Sequence, residues 1–299
     1  MRNRKRGASD VAITLNEDES QAVLEGLALI RAQELIQHDD VVVITPNWVQ
    51  KKLPQSGIVV GNETLKTLIS FIKSCQPKRI VVASGSGGGN TREVMINGGF
   101  NEVIESEGVE FIDLNEGPFL SVELNHHQPH STQLNTLFKE LTVLVSFTQL
   151  KMHEEATISG AIKNIALSWP PSSQHGTPKK NTGIHDNLHE FIVAMAEVLP
   201  IDLSLVSANP AMVGTGPAKG IPKHTGLVIA GTDAVSVDTI GARFLGFKPQ
   251  GVRYLFEAGR KGLGENDILR MNLSGIPLIQ AQKVFTQKVY GSEASVDAD

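Results

Sequence analysis

The sequence predicts an α/β protein: a mainly parallel sheet flanked by helices, with a second α/β subdomain. Three observations predict it. The β-branched runs "VVVITP" and "RIVVAS" read as strands buried on both faces, the habit of parallel sheets. Amphipathic helical segments alternate with such strands, the rhythm of βαβ units with right-handed crossovers. A glycine-rich turn, "GSGGGN", joins a strand to a helix, where backbone N–H groups can meet an anion.

Taken in order, "VAITL" reads as a strand and "DESQAVLEGLALIRAQELI" as a helix opened by acidic residues that suit its dipole. "VVVITP" ends at Pro46, with Asn47 and Trp48 in the loop beyond. "NETLKTLISFIKSC" is a helix with Asn62 as its expected N-cap. "RIVVAS" is a strand, "TREVMINGGF" and "NEVIESEG" are helical, and "VEFIDL" is a strand. After Leu120 the pattern loosens, and the polar "NHHQPHSTQ" suggests a boundary. The reading is therefore subdomains at residues 1–120 and 121–299, or one continuous domain from about 40 to 280. "LTVLVSF" returns to strand, and "SWPPSSQHGTPKKNTG" is a loop too polar to pack a core; loops that long are functional or disordered. "DNLHEFIVAMAEVL" is a helix capped by Asp186, followed by strands "LSLVS" and "GLVIAG". The helix "AVSVDTIGARFL" stops at Gly246, and "VRYLFEAGRKGLG" adds one more.

The 299 residues carry a net charge of −5 and are 40% hydrophobic. That balance supports a substantial core and argues against a general nucleic-acid surface. The basic start "MRNRKRG" has no apolar signal core after it and reads as a frayed tail. No run is long and apolar enough to span a bilayer. Cys75 is the only cysteine, so neither an internal disulfide nor a cysteine-ligated iron–sulfur cluster is expected within one chain. A cytoplasmic protein follows, with no nucleic-acid or membrane partner, and a homo-oligomer is left open.

Four motifs carry chemistry. In the glycine-rich turn, Ser84, Gly85 and Gly87 offer either a tight βα turn or an anion contact; Asn90 stands where a dinucleotide fingerprint needs its third glycine. Asp113, at the end of the next strand, could serve a ribose hydroxyl. "MVGTGPAKG" places Gly214 and Gly216 before Pro217 in a loop suited to face a ligand. Asp233 is an N-cap, whereas Asp238, inside a helix among apolar residues, should hydrogen-bond something buried or line the site. His126, His127 and His130 are loop composition rather than a metal cage, and no metal site is expected. His185, before a helix, is a base, a ligand or a surface turn residue.

The densest cluster is "QLKMHEEATISGAIKN", from Gln149 to Asn164. As one helix it spreads His153 and Asn164 about 16 Å apart, too far to share a metal. The better reading follows the strand before it. Lys151 and His153, alternate residues at a strand end, point the same way into a crevice. A helix from about Thr157 then carries Lys163 and Asn164, with Glu154 and Glu155 facing water.

These motifs together resemble the domain of unknown function 362 family. The likeness begins at "VVVITPNWV", is strongest at "LKMHEEATISGAIKN", and runs through "MVGTGPAKG" and "GLVIAGTDAVSVDTIGARFLGF" to "GRKGLGE". It implies a prokaryotic-type α/β protein. Some relatives carry ferredoxin-like cysteine clusters, a role one cysteine does not support. Thr45 stands where the family usually has Lys, and Ser207 about where it has Asp; both remove charge from the site. Lys151 and His153 alone also give a faint likeness to nickel-pincer lactate racemases.

The expected function is binding, and chemistry on, a small anionic metabolite. Lys151, His153 and His185 are the catalytic candidates. Asn47, Ser84, Gly85, Gly87, Lys163, Asn164, Gly214, Gly216, Pro217, Asp233 and Asp238 are the binding candidates. The competing classes are a non-catalytic anion-binding protein and a degenerate member with a structural or partner-binding role.

Overall fold

The computed structural model describes residues 2–295; Met1 and residues 296–299, which belong to the basic start and to the second predicted subdomain, lie outside the described residues. The chain opens with β1 (Asp10–Leu15), α1 (Glu19–Leu29), β2 (Val41–Pro46), α2 (Asn62–Ser74), β3 (Arg79–Ser84), α3 (Thr91–Asn97), α4 (Phe100–Glu107) and β4 (Glu110–Asp113). β5 (Phe119–Glu123) and β6 (Ser131–Asn135) pair only with each other, so the polar "NHHQPHSTQ" is largely the tip of a hairpin. Then come β7 (Val143–His153), β8 (Thr157–Ser159), α5 (Ala161–Ser168), α6 (Ser172–His175), α7 (Leu188–Val198) and β9 (Leu203–Val213). The chain continues through β10 (Ile221–Lys223), β11 (Leu227–Gly231), α8 (Ala234–Phe244), α9 (Arg253–Arg260), β12 (Asn272–Gly275) and α10 (Leu278–Tyr290).

One sheet runs β12-β1-β11-β9-β7-β2-β3-β4, with the short β8 and β10 added on β7 and β9. From β4 to β9 every pairing along this path is parallel; β11 runs antiparallel to both β9 and β1. The predicted α/β class is therefore the observed one. Strands from both sides of residue 120 share this sheet, because β1 lies between β11 and β12.

The pleat explains the two hydrophobic layers. Val42, Ile44, Val143, Val145 and Phe147 pack toward α1, α2 and α4, while Val41, Val43, Leu144 and Val206 pack toward α5, α7 and α8. Successive strand residues face opposite sides, so helices on both faces require apolar residues at every position.

Local differences from the sequence reading have local causes. Gly61, not Asn62, caps α2, and Asn187, not Asp186, caps α7; neither makes a side-chain cap bond. β7 extends to His153 because β8 folds back on it, pairing Lys151 with Ser159 and His153 with Thr157; α5 therefore starts at Ala161. The polar loop before α7 packs after all, with Trp169, His175 and Lys179 buried. The basic start is not a frayed tail. Arg2 reaches Asp202 at 2.6 Å, Lys5 reaches Asp40 at 2.7 Å, and Arg4 reaches Asp233 at 3.2 Å. Asp40 and Asp202 stand just before β2 and β9, so the segment lies across the end of the sheet opposite the site.

Candidate functional site

After β2 the chain adds β3 and β4 on one side of it, then returns with β7 on the other. This reversal leaves a crevice at the carboxyl ends of β2 and β7, the place where open α/β sheets bind ligands. Asn47 follows β2, Lys151 and His153 end β7, and Lys163 and Asn164 lie on α5 just beyond. Asn47, His153, Lys163 and Asn164 line a cavity of about 220 Å³.

An amide network forms its floor. Lys151 donates to the Asn47 side-chain oxygen and, at 2.7 Å, to the Ile58 carbonyl. Asn47 donates to Asn164 Oδ1 at 3.0 Å, and Asn164 Nδ2 donates to the Thr45 carbonyl at 2.9 Å. Thr45 itself accepts from the Trp169 indole at 3.2 Å. Lys151 is fully buried behind Asn47 and does not itself line the cavity. Burial, aided by the Lys163 charge, pushes its ammonium well below the usual lysine range.

Lys163 lines the cavity and has no hydrogen-bond partner among the described residues; burial pulls it down to about 8, partly offset by Glu155. Lys179 also lines it, donating to the carbonyls of Gly85 and Leu167 at 3.0 Å. Burial brings this ammonium to about 7. Sequence reasoning passed over Lys179, because its loop is polar and its burial depends on contacts with Gly85 and the end of α5. The signal available was loop length joined to paired lysines and prolines.

The two histidines differ. His153 Nδ1 accepts the backbone N–H groups of Glu155 and Ala156, each at 3.1 Å. Its proton therefore sits on Nε2, and burial with the nearby Lys163 holds the ring neutral, down to about 2. His153 lines the cavity as a donor. His185 places Nδ1 2.5 Å from Glu155 Oε2, leaving Nε2 as an acceptor. Burial lowers His185, and the Glu155 charge partly offsets it. Glu155 is exposed, as expected, and it also lines the cavity mouth and holds Lys180 at 2.9 Å. Although burial raises Glu155, its bonds with Lys180 and His185 hold it below the usual carboxylate range.

The glycine-rich turn contributes Gly85 and Gly87 to the wall. A Cβ at Gly85 would meet the Ser168 carbonyl at 2.4 Å, so this glycine allows α5 to approach. Ser84 donates to the Pro46 carbonyl and is absent from the lining. Gly88 N–H donates to the Val49 carbonyl at 2.9 Å, so it is not open to phosphate. Asp113 accepts from Thr91 at 2.9 Å and from the Asn115 N–H at 2.9 Å, which answers its burial without a ribose.

Of the "MVGTGPAKG" loop only Pro217 reaches the cavity; Gly214 and Gly216 do not line it. Asp233 caps α8 and pairs with Arg4, also away from the cavity. Asp238 hydrogen-bonds buried groups, as expected, and does not line the cavity: its carboxylate accepts the Ala161 N–H at 2.6 Å, the Ile162 N–H at 3.1 Å and the Tyr254 hydroxyl at 3.3 Å. Burial raises Asp238 to about 7 despite those bonds. Gly160 makes the contact possible, because a Cβ there would meet Asp238 Oδ1 at 2.2 Å. Among the described residues no group of three or more His, Cys, Asp or Glu is arranged to hold a metal ion, and no helix is long and apolar enough to cross a membrane.

Three comparisons bear on this arrangement. The chain is 21% identical over 230 residues to a thylakoid-associated protein of Synechocystis sp., covering 76% of this chain and 70% of that one. Among solved structures it is similar to the lactate racemase apoprotein of Thermoanaerobacterium thermosaccharolyticum, at 17% identity and a TM-score of 0.45, over 77% of this chain. This chain spans 56% of that protein's length. Residues 42–243 match the family described as Domain of unknown function (DUF362), a span holding all the lining residues, and the chain belongs to that family.

Proposed function

We propose that the cavity binds a small anionic metabolite, a carboxylate or a phosphate, and that His185 moves a proton on it. One observation carries this reading. Lys151, Lys163 and Lys179 are buried together, and none has a carboxylate within ion-pairing distance among the described residues. Burying one unpaired ammonium costs several kcal/mol by order of magnitude. Retaining Lys163 and Lys179 in the wall of one cavity, with Lys151 behind it, makes sense if a ligand supplies the missing negative charge.

In this reading Lys163 meets the anion directly. Lys179 adds positive field while fixing the glycine-rich turn, and Lys151 orients Asn47. His153 Nε2–H and the Asn47–Asn164 pair donate to or position the ligand's oxygens. Glu155 holds the His185 ring so that Nε2 faces the cavity as the base. Asp238 positions α5, and through it Lys163 and Asn164. The cytoplasmic placement and the absence of a nucleic-acid or membrane partner stay part of the proposal.

The test is isothermal titration with acetate, glycolate and inorganic phosphate, followed by NMR of the bound ligand in D2O. Binding that Lys163→Met removes supports the anion site. Deuterium uptake at a ligand carbon, lost in His185→Gln while binding persists, supports the proton transfer. Binding without exchange reduces the protein to an anion-binding one, and no binding of any anion defeats the reading.

A further inference from the structure

A second cavity, of about 300 Å³, opens between the first turns of α1 and α2 and the bulge where β9 departs from β7. Its character is opposite to that of the first. Glu17, Glu19 and Glu63 line it, and no lysine or arginine does. Glu17 has an outside partner, Lys288, at 3.2 Å.

The interior of this cavity is not satisfied. Gln149, 1% exposed, lines it with its side-chain amide against the Glu19 carboxyl, which it pulls down as a hydrogen bond does, although neither amide atom reaches good hydrogen-bond geometry. Glu19 Oε2 accepts from Thr64 at 2.8 Å; its Oε1 is buried without a well-formed bond, and the Ser207 and Gln149 side chains lie against the carboxyl. On the far wall Asn209 Oδ1 lies 3.2 Å from His224 Nδ1. Buried polar atoms are almost always bonded, and each orphan costs about 1–3 kcal/mol. Here a carboxylate oxygen and the amide beside it are left without well-formed bonds at the wall of one cavity. Anions are disfavoured by three carboxylates, and an apolar occupant would bury the orphans unpaired.

We propose that this cavity is a cation site, in which the Glu19 carboxylate and the Gln149 amide oxygen take a small oxygen-seeking cation, either a hard metal ion or an ammonium group. Oxygen donors of this kind suit hard cations. Burial raises the Glu19 carboxyl above its ordinary value, and hydrogen bonds from Ser207, Thr64 and Gln149 partly offset it. The site is separate from the anion cavity and stands or falls independently of it.

The experiment uses the full chain in a tetramethylammonium chloride background of constant ionic strength. Calcium, magnesium, potassium and methylammonium chlorides are added in separate arms. The expected result is a Tm rise of about 2 °C or more with at least one of them, lost in Glu19→Gln. Gln149→Met should weaken the same response about tenfold in concentration. A response to a metal chloride assigns a metal ion, and a response confined to methylammonium assigns an ammonium group. Calorimetric titration of the unmodified chain with the same salts gives a direct reading, with one site per chain expected. No response from any of the four, or an equal response in Glu19→Gln, overturns the proposal.

Discussion

Asp238 caps a helix to which it does not belong: its carboxylate, on α8, accepts the Ala161 N–H at 2.6 Å at the start of α5. α5 has no side-chain cap of its own, since Gly160 stands at that position. Asp238→Ala would orphan two N–H groups, and the expected loss is about 3 kcal/mol of stability, read by urea unfolding. Asp238→Asn should lose less and should also change the pH dependence. Folded Asp238 lies near 7 against 3.8 for an unperturbed Asp, so its contribution is complete below about pH 4 and fades as pH rises to about 7. That slope should be absent from the Asn variant; an unchanged slope would assign the effect to another group.

Anion affinity should fall as pH rises. Lys179 and Lys163, near 7 and 8 in the free protein, must be protonated in the complex. Below pH 7 the affinity should level off. Above pH 8 it should drop by up to about tenfold per pH unit for each proton taken up. Titration in buffers of different ionisation enthalpy reads the proton uptake directly. Lys163→Met should weaken binding about 10- to 100-fold, the scale of one charge-assisted hydrogen bond.

His153 should not titrate across the physiological range. With Nδ1 accepting two backbone N–H groups and the ring held down to about 2, it remains the Nε2–H tautomer. Nitrogen-15 NMR should show one unchanged tautomer from pH 5 to pH 9, both values being about three units or more above that pKa. A tautomer that protonates near pH 6 would contradict the role as a neutral donor.

Glu155→Gln should lower the His185 pKa further, because the carboxylate is the group that offsets burial. The histidine NMR titration checks the direction. The same variant frees Lys180, whose only ion-pair partner is Glu155 among the described residues. If His185 rises instead, the Glu155–His185 pair is not the unit that sets the base.

Much of this protein could be read locally. The β-branched runs specified buried strands because a sheet covered on both faces needs apolar residues at successive positions. The strand end carrying Lys151 and His153 was legible, and both are on β7 at the topological reversal, but only His153 lines the cavity; Lys151 is buried behind Asn47. Asp238 was singled out because an interior helical Asp among apolar residues needs a partner, and it has two backbone partners.

What could not be read depended on segments far apart in sequence. Lys179 is buried because Gly85 and the end of α5 offer it carbonyls 94 and 12 residues away. The basic start is anchored because Asp40 and Asp202 gather at the strand origins. The sequence alone determined the α/β class and the order of the motifs, since period and local hydrogen bonding belong to short stretches. Only the tertiary structure decided which charges share a cavity, since that depends on the strand order β7-β2-β3, and strand order is set by long-range pairing.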